Sequence, residues 1–402
     1  MKKFIVALAL LLGLQAWTQD NIEVVNIENP ELQAFLADST YFINPDYSVS
    51  VVKKYCGEKA FKKGLDRPAG KVVTWTPTAS SDEISEIRIT VSEHKDYRDS
   101  ITYFPGSTKA STYTIMNNFP NRTYYYKVEE FHGNGQVAQV AQGVYRTVGQ
   151  VRMMRVEGAH NVRDIGGWPT QFGIPIRYGR LYRSGNMDRV TNTGRHDFVD
   201  NMGVTAELDL RGESRLKSSP LGHNVSFKQI TNDSYAGAMG NKKYRQAFVN
   251  DLNWIIARLR EGKNIDWHCA VGCDRCGTLS FLIEGVLGVC EADLCRDYEL
   301  SSFRGHKRYR SNPGFRRVIP YIRKFGPADD LAACFYNYWT QAGVSSEDLD
   351  YLRSVMLEQK KNNEVKKAIT PHRIHRGQDL RPVPMPSHNV APTMAVPVRK
   401  RK

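Results

Sequence analysis

The sequence predicts a multidomain protein in which an all-β sandwich is followed by an α/β domain. Three observations support this fold class. The chain has 402 residues, more than a single domain usually contains. Residues 67–149 contain short segments of alternating apolar and polar residues, separated by turn residues. Residues 150–359 instead alternate strand-like segments with amphipathic helical ones, which is typical of a largely parallel sheet covered by helices.

The first residues, 1–19, are predicted to form a signal peptide. Met1–Lys3 supplies a basic start, and the apolar run Phe4–Leu14 is too short to act as a membrane anchor. Cleavage is expected between Ala16 and Asp20, so we expect an exported protein that is periplasmic or secreted. No later segment of the sequence is apolar and long enough to predict a transmembrane helix after this cleavage.

The β domain is predicted from strands that follow a less informative stretch. Within residues 20–66, only Pro30–Leu36 suggests a helix. Lys71–Trp75 and Glu86–Val91 then alternate as strands, and the alternation turns the Trp inward. Asn118–Val128 predicts a turn that enters a Tyr-rich strand. Short strands at this spacing, around a buried Trp, indicate a β-sandwich.

The α/β domain is predicted from strands and helices that alternate along the chain. Thr205–Leu210 and Ser226–Ile230 have the apolar character of strands. Apolar residues recur with helical spacing over Tyr244–Leu259, and Gly262 is expected to end that helix. Asn264–His268 is expected to form a further buried strand. The order of these elements predicts a largely parallel sheet.

The segment after this last strand is the most informative in the chain. Apolar residues recur there with helical spacing, so a helix is predicted to follow the loop Cys269–Arg275. The apolar positions are Leu279, Leu282, Ile283, Val286 and Leu287. The loop therefore joins a strand end to a helix N-terminus, where unpaired N–H groups and the positive helix dipole favour phosphate.

Cys269 and Arg275 have the chemistry of a nucleophile and a phosphate ligand. The loop N–H groups, the helix N-terminus and the charge of Arg275 are expected to lower the pKa of the Cys269 thiol, and the thiolate can attack phosphorus. The guanidinium of Arg275 matches two phosphate oxygens. Gly272 allows a tight turn, and His268 is expected to orient the loop through side-chain hydrogen bonds. The residues expected to bind phosphate are Ala270, Val271, Gly272, Cys273, Asp274 and Arg275.

Three motifs resemble those of the cysteine-dependent protein tyrosine phosphatases. They are the His-Cys-x-x-Gly-x-x-Arg sequence of His268–Arg275 and the upstream segments Asn161–Gly167 and Gly179–Ser184. Together they resemble a bacterial branch that contains atypical tyrosine, dual-specificity and phosphoinositide phosphatases, over residues 151–359. The resemblance implies hydrolysis of phosphate monoesters through a phosphocysteine intermediate, without a metal or an organic cofactor. The β-sandwich in turn resembles a fibronectin type III module.

Two residues depart from the pattern of this branch. Cys276 replaces a Thr or Ser whose hydroxyl normally hydrogen-bonds the catalytic sulfur and helps it to leave the phosphocysteine. A thiol is a weaker donor, so this departure bears on the second step of the reaction. Cys273 replaces a Lys that is frequent in lipid-active members, which removes a cation that would favour polyanionic head groups.

The resemblance also implies a general acid, because an alkoxide or phenolate leaves poorly unless it is protonated. Asp233 is the first candidate, since it lies 36 residues before Cys269 in a loop after a strand, like the movable acid loop of the family. Asp209 is the second, since its Asp-Leu-Arg sequence recurs in this branch at a strand end that faces the site. Asp274, inside the phosphate loop, is the third.

The charge of the chain suits anionic partners. The net charge is +14 and the isoelectric point is about 9.4. Expected substrates are a phosphorylated protein, with phosphotyrosine preferred, or an anionic phosphorylated lipid or inositol. No nucleic-acid-binding motif is present. Residues 360–402 repeat Pro, Lys and Arg and are predicted to form a disordered basic tail.

The cysteine pattern favours catalysis over structure. Seven cysteines, an odd number in a long chain, do not predict a disulfide framework. Cys269, Cys273 and Cys276 could be read as metal ligands, but a fourth ligand other than His268 is lacking, so no metal site is predicted. The alternative function is a non-catalytic phosphate-binding or adhesion protein, with a pseudo-phosphatase domain weakened at Cys276. The sequence does not indicate an oligomeric state.

Overall fold

The computed structural model describes residues 22–38, 49–56, 66–212, 217–304 and 318–357. The predicted signal peptide and basic tail lie outside these residues. The strands in this part of the chain form three sheets, of five, two and six strands. None of the helices in the same ranges combines the length and hydrophobicity that a membrane span requires.

The first two sheets belong to the N-terminal part of the chain. The larger contains β1 (Glu23–Asn26), β3 (Ile84–Ser92), β4 (Ile101–Tyr103), β6 (Thr123–His132) and β7 (Val137–Val148), in the order β1-β7-β6-β3-β4. The smaller pairs β2 (Lys71–Thr74) with β5 (Thr112–Ile115). All neighbours are antiparallel except β1 and β7, which run parallel.

Both N-terminal sheets contribute to one hydrophobic core. Trp75, directly after β2, is buried there together with Ile115 of β5 and with Ile89, Val128 and Tyr145 of the larger sheet. The inward position of Trp75 agrees with the alternation in the sequence. The fibronectin type III identity of this domain stays a prediction.

The six-stranded sheet belongs to the α/β domain. Its strands are β8 (Met153–Met154), β9 (Val162–Asp164), β10 (Leu181–Ser184), β11 (Val204–Asp209), β12 (Ser226–Gln229) and β13 (Asn264–His268), in the order β12-β11-β13-β10-β9-β8. Strands β12, β11, β13 and β10 are parallel, while β9 and β8 continue the sheet in antiparallel fashion. The predicted α/β class with a largely parallel sheet is confirmed for this domain.

The helices surround this sheet. They are α1 (Pro30–Ala37), α2 (Val49–Cys56), α3 (Asn192–His196), α4 (Tyr235–Gly240), α5 (Lys242–Arg260), α6 (Asp274–Val286), α7 (Glu291–Glu299), α8 (Val318–Ile322), α9 (Leu331–Ala342) and α10 (Ser346–Met356). A π-helical turn at Asp197–Asn201 follows α3, and 3-10 turns occur at Leu300–Ser302 and Arg323–Phe325. The central helix α6 is buried from Cys276 to Val286, because other elements cover it on all sides.

Residues 22–38 connect the two domains. Strand β1 extends the N-terminal sheet, as described above, whereas α1 packs into the core of the α/β domain through Leu32 and Phe35. The ring of Phe35 lies 5.4 Å from that of Phe303, and Arg296 donates to the carbonyl of Asp38 at 2.9 Å. This segment, in which only the helix at Pro30–Leu36 was predicted, is therefore part of both cores.

A buried arginine joins the two domains more directly. Arg152 donates to the carbonyl oxygen of Asn117 at 2.7 Å and to the carboxylate of Asp164 at 3.1 Å. Its guanidinium also lies 3.6 Å from the ring centroid of Phe119. Asn117 and Phe119 belong to the N-terminal domain and Asp164 to β9, so the interface contains a buried ion pair.

Candidate active site

The loop Cys269–Arg275 lies between the C-terminal end of β13 and the first turn of α6, as predicted. Because β13 lies between β11 and β10 in the sheet, both neighbouring strands end beside the loop. Gly272 adopts φ +67°, and a Cβ atom there would lie 2.6 Å from the carbonyl of Ser184 at the end of β10. The tight turn of the loop therefore requires glycine at this position.

Two buried side chains from the upstream motifs hold the carbonyl groups of the loop. The amide of Asn161 donates to the carbonyl oxygens of Val271 and Gly272, at 3.2 and 2.9 Å. The guanidinium of Arg183 donates to the carbonyl oxygens of Gly272 and Cys273, at 3.0 and 3.1 Å. A carbonyl group held by these side chains cannot point into the anion-binding cavity of the loop, where its oxygen would repel a phosphate oxygen.

Two further side chains hold carbonyl groups at the rim of the loop. Asn186 donates to the carbonyl oxygen of Ala270 at 2.7 Å. Arg304 donates to that of Val271 at 3.0 Å. Each of the four carbonyls from Ala270 to Cys273 is thus fixed by a side-chain donor from outside the loop, which leaves the loop in the conformation that an anion-binding nest requires.

Arg183 is itself fixed by a buried carboxylate. Asp297 of α7 accepts from Arg183 at 2.5 Å and from Arg163 at 3.0 Å. Burial opposes the ionisation of Asp297, but the charges of Arg163 and Arg183 outweigh it and hold its pKa below the ordinary range. Arg163 also donates to the side-chain oxygen of Asn161 at 2.7 Å, so the two loop supports belong to one network.

The motifs Asn161–Gly167 and Gly179–Ser184 were identified by resemblance, without a role for their side chains, and Asn186, Asp297 and Arg304 were not identified from the sequence. For Arg163 and Arg183 a charge within an apolar strand was a signal of a buried partner, since buried charges are rare unless they are paired. No such signal marks Asn186, Asp297 or Arg304.

The buried Cys269 thiol has the electrostatics of a nucleophile. Its pKa is lowered well below the usual value, first by a hydrogen bond from the Cys276 thiol. Burial opposes this effect, while the backbone N–H groups of Val271 and Cys276 and the charge of Arg275 add to it. The surroundings of Cys269 therefore favour its thiolate form, although the residue is buried.

Cys276 is fully buried under the loop, on the first turn of α6. Its sulfur lies 3.6 Å from the carbonyl oxygen of Ser184 and 3.8 Å from that of Trp267, so the thiol has acceptors besides the Cys269 sulfur. Burial, followed by the interaction with Cys269, raises the pKa of Cys276 well above the usual value. Cys276 therefore keeps its proton and acts as a donor.

Cys273 and Arg275, two further polar side chains of the loop, are oriented differently from Cys269. The Cys273 sulfur is buried and directed at the carbonyl oxygen of Val271, at 3.3 Å. Arg275 donates to the carbonyl oxygen of Leu210, at 3.0 Å, and is partly exposed. The guanidinium of Arg275 is thus held across the gap between α6 and the end of β11.

His268 does not contact the loop through its side chain, contrary to the expectation from the sequence. Its Nε2 lies 2.9 Å from the carboxylate of Glu207 on β11, and both groups are fully buried. Burial disfavours the imidazolium, but the hydrogen bond with Glu207 and the charges of Glu207, Asp209 and Asp266 outweigh it and raise the pKa of His268. His268 therefore links β13 to β11, and its carboxylate neighbours favour its protonated form.

Asp209, the second acid candidate, is held in an ion pair. Its carboxylate accepts from the Arg211 side chain at 2.9 and 3.0 Å, and Arg211 in turn donates to Asp188 at 2.8 Å. Burial opposes ionisation, but the hydrogen bonds from Arg211 and the charge of His268 lower the pKa of Asp209 below the usual value. A carboxyl held ionised in this way is a poor proton donor.

Asp233, the first acid candidate, lies exposed in the loop between β12 and α4. One of its carboxylate oxygens accepts the backbone N–H of Ser234 at 2.8 Å. The preceding Asn232 is buried and donates to Asp251 of α5. The carboxyl of Asp233 is therefore accessible from solvent, next to the anchor of its loop at Asn232.

Asp274, the third acid candidate, begins α6 and lies within a cluster of hydroxyl groups. One oxygen of its carboxylate is 2.6 Å from the Tyr235 hydroxyl and 3.1 Å from the Tyr298 hydroxyl. Because its carboxylate is engaged by these hydroxyl groups, Asp274 is better suited to a structural role than to proton donation.

No group of three or more His, Cys, Asp or Glu side chains in the described part of the chain is arranged to hold a metal ion. Cys269 and Cys276 instead interact with each other, and the sulfur atoms of Cys273 and Cys276 are directed at carbonyl oxygens. The metal-site interpretation of these cysteines therefore receives no support from their geometry.

A family model described as "Tyrosine phosphatase family" matches residues 154–358, about half of the chain. A protein of Cupriavidus necator, named provisionally as a tyrosine-protein phosphatase, is 24% identical over 171 residues. The match covers 36% of this chain and 61% of that relative, so this chain spans less than two thirds of the relative's length.

Two solved structures are also similar. The core catalytic domain of the PP-IP phosphatase SIW14 from S. cerevisiae, in complex with citrate, has 12% identity and a TM-score of 0.26, over 38% of this chain and 93% of its own. TpbA from P. aeruginosa has 18% identity and a TM-score of 0.24, over 44% of this chain and 88% of its own. TM-scores this low carry no conclusion about the present chain.

Proposed function

The chain belongs to the tyrosine phosphatase family, and from this premise we propose that it is an exported phosphatase that hydrolyses phosphate monoesters through a phosphocysteine on Cys269. One observation carries the proposal: the buried Cys269 thiol has a pKa well below its usual value and sits in a loop whose carbonyl groups from Ala270 to Cys273 are held by side-chain donors from outside the loop. A thiolate in an anion-binding loop is a nucleophile that is positioned for phosphorus.

The proposed first step transfers the phosphoryl group to sulfur. The Cys269 thiolate attacks phosphorus, the bond between phosphorus and the leaving oxygen breaks, and that oxygen takes a proton from the Asp233 carboxyl. Arg275 would leave its contact with the Leu210 carbonyl to bind two oxygens of the transferred group, where it opposes their charge in the transition state.

The proposed second step returns the enzyme to its starting state. Water attacks the phosphocysteine and gives its proton to the Asp233 carboxylate, while the bond between phosphorus and sulfur breaks and its electron pair returns to Cys269. The Cys276 thiol supports this step, because its hydrogen bond stabilises the thiolate that leaves. No step requires a metal or an organic cofactor.

Phosphotyrosine protein is the substrate that we propose. The position where lipid-active members carry a Lys is occupied here by Cys273, whose buried sulfur is directed at a carbonyl oxygen and adds no charge to the loop. Phosphoinositides and inositol phosphates carry further phosphates that would gain from such a cation. They are therefore expected to be poorer substrates, with lower kcat/KM than a phosphotyrosine peptide.

The function can be tested with the full chain and Cys269→Ser. The variant is expected to lose turnover of a chromogenic phosphate ester while it still binds tungstate, a phosphate analogue, by calorimetry. Cys290→Ser is a matched control, because Cys290 is exposed at the start of α7 and outside the loop. Chelator should leave wild-type turnover unchanged. Turnover of Cys269→Ser at the wild-type rate would exclude the mechanism, and binding without turnover in the wild type would favour the pseudo-phosphatase.

A further inference from the structure

The loop that carries Asp233 ends at Tyr235, whose backbone conformation is unusual. Tyr235 has φ +67°, in the left-handed region that a bulky aromatic residue rarely adopts. Specific contacts hold it there. Its backbone N–H donates to the Thr278 hydroxyl at 3.0 Å, and its own hydroxyl donates to the Asp274 carboxylate at 2.6 Å. Both contacts fix the end of the loop to the first turns of α6.

The hydroxyl contacts form an ordered chain. Besides Asp274, the Tyr235 oxygen lies 2.6 Å from the hydroxyl of Tyr298 on α7. Since each phenol has one hydrogen, both short contacts are satisfied when Tyr298 donates to Tyr235 and Tyr235 donates to Asp274. We call Tyr235, Tyr298 and Asp274 the tyrosine latch. Tyr235 is its central member, and it alone belongs to the loop of Asp233.

The same loop is anchored on its other side by the Asn232 contact with Asp251. Asp233 therefore lies between two anchors, one to α5 at Asn232 and one to α6 at Tyr235. Helix α6 begins at the end of the phosphate loop, so the second anchor sets the distance between Asp233 and the phosphate.

We propose that Tyr235 is a positioning residue for general acid catalysis. The tyrosine latch holds the loop of Asp233 against the first turn of α6 and keeps its carboxyl on the leaving-group side of the bound phosphate. Tyr235 exchanges no proton with the substrate and acts through Asp233 alone. This inference rests on the proposed function, because it takes Asp233 as the acid.

The test compares two substrates with different leaving groups. Phenyl phosphate needs a protonated leaving group, whereas an aryl phosphate with strong electron-withdrawing substituents does not. Asp233→Ala should slow phenyl phosphate by ~100-fold, the lower end of the usual contribution of a general acid. Tyr235→Phe should slow it by ~10-fold, since it removes one hydrogen bond to a charged group. In the burst phase, which reports the first step alone, both variants should leave the activated ester within about twofold of wild type, because its leaving group needs no proton.

Tyr336→Phe is the matched control. Tyr336 donates to Asp350 at 3.1 Å, so this variant also loses a bond between a phenol and a carboxylate, but on α9 and far along the chain from the loop. It should leave both substrates unaffected. Thr278→Val breaks the other contact of Tyr235, with its backbone N–H, and should reproduce the selectivity of Tyr235→Phe.

The double variant of Asp233→Ala with Tyr235→Phe decides whether Tyr235 acts through Asp233. If it does, Tyr235→Phe adds no further loss once Asp233 is absent. If Tyr235→Phe slows both substrates equally, or if its loss adds to that of Asp233→Ala in the double variant, the positioning role of Tyr235 is wrong while the proposed function stands. If Asp233→Ala slows both substrates equally, the assignment of Asp233 as the acid and the positioning role of Tyr235 are both wrong. Turnover by Cys269→Ser would contradict the proposed function itself.

Discussion

Replacement of Cys276 tests the electrostatics of the site most directly. Its thiol donates to the Cys269 thiolate, and this hydrogen bond is the largest cause of the lowered pKa of Cys269. Cys276→Ala removes the donor, while Cys276→Ser and Cys276→Thr supply a hydroxyl, which is a stronger donor than a thiol. The three variants therefore change the stabilisation of one sulfur atom in opposite directions.

The magnitude follows from the nature of the bond. A hydrogen bond to a charged group contributes ~1.5–3 kcal/mol, and a thiol belongs at the lower end of that range. Loss of ~1.5 kcal/mol from the departing thiolate slows the breakdown of the phosphocysteine by about tenfold. Cys276→Ala should also raise the pKa of Cys269. Cys276→Thr should do the reverse, as long as its hydroxyl is not drawn to the carbonyl of Ser184, 3.6 Å from the present sulfur.

The rate of phosphocysteine breakdown and the pKa of Cys269 are measured separately. Rapid mixing with an activated aryl phosphate gives a burst of phenol for the first step and a slower phase for the second. Cys276→Ala should enlarge the burst and slow the later phase, and Cys276→Thr should shrink the burst and raise turnover. The pH dependence of alkylation of Cys269 by iodoacetamide reports its pKa in each variant.

The control is Cys334→Ala, which removes another fully buried thiol that donates to a carbonyl oxygen, that of Pro327 at 3.1 Å. It should lower stability without a change in either measurement. An unchanged slow phase and an unchanged alkylation profile in Cys276→Ala would refute the reasoning. Equal or lower steady-state turnover in Cys276→Thr, with the burst preserved, would show that the thiol does not limit the second step.

Two further predictions concern stability. Burial raises the pKa of Asp266 from its ordinary value of 3.8 to about 7, so the folded protein keeps a proton that the unfolded chain has lost, and stability falls as pH rises between these values. Asp266→Asn should lack this fall and be more stable than wild type in urea at pH above 7, by up to ~4 kcal/mol; parallel pH profiles would contradict it. Arg152→Met leaves Asp164 buried without its partner and should cost ~3–5 kcal/mol in urea unfolding. A cost below about 1 kcal/mol would mean that the interface does not depend on this pair.

The strand, loop and helix around the site could be predicted because each depends on local pattern. The strand Asn264–His268 has the predicted bounds, and the five apolar positions after the loop are all fully buried. Cys269 and Arg275 could be identified for the same reason, since the residues of a short loop between a strand and a helix lie next to unpaired N–H groups and the helix N-terminus. The hydrogen bond from the Cys276 thiol is the largest cause of the low pKa of Cys269. The other causes, backbone N–H groups and the charge of Arg275, are those that the position of the loop implies.

The supports of the loop could not be predicted, because they come from distant parts of the chain. Asn161 is 111 residues from Gly272, whose carbonyl it holds, and Asp297 lies 114 residues from Arg183. Sequence spacing does not reveal which buried polar groups meet after folding. The same limit applies to Phe35, whose partner Phe303 is brought near by the fold alone.

The strand β9 links the domain interface to the phosphate loop. Successive side chains of a strand point to opposite faces, so Arg163 and Asp164 reach different surroundings. Arg163 contacts Asp297, which also holds Arg183, a support of the loop carbonyls. Asp164 pairs with Arg152, which is bound to the N-terminal domain at Asn117. A shift at the interface would therefore displace the residues beneath the loop. The N-terminal domain is thus part of the scaffold that shapes the site, and its removal would leave Arg152 without the carbonyl groups that orient it.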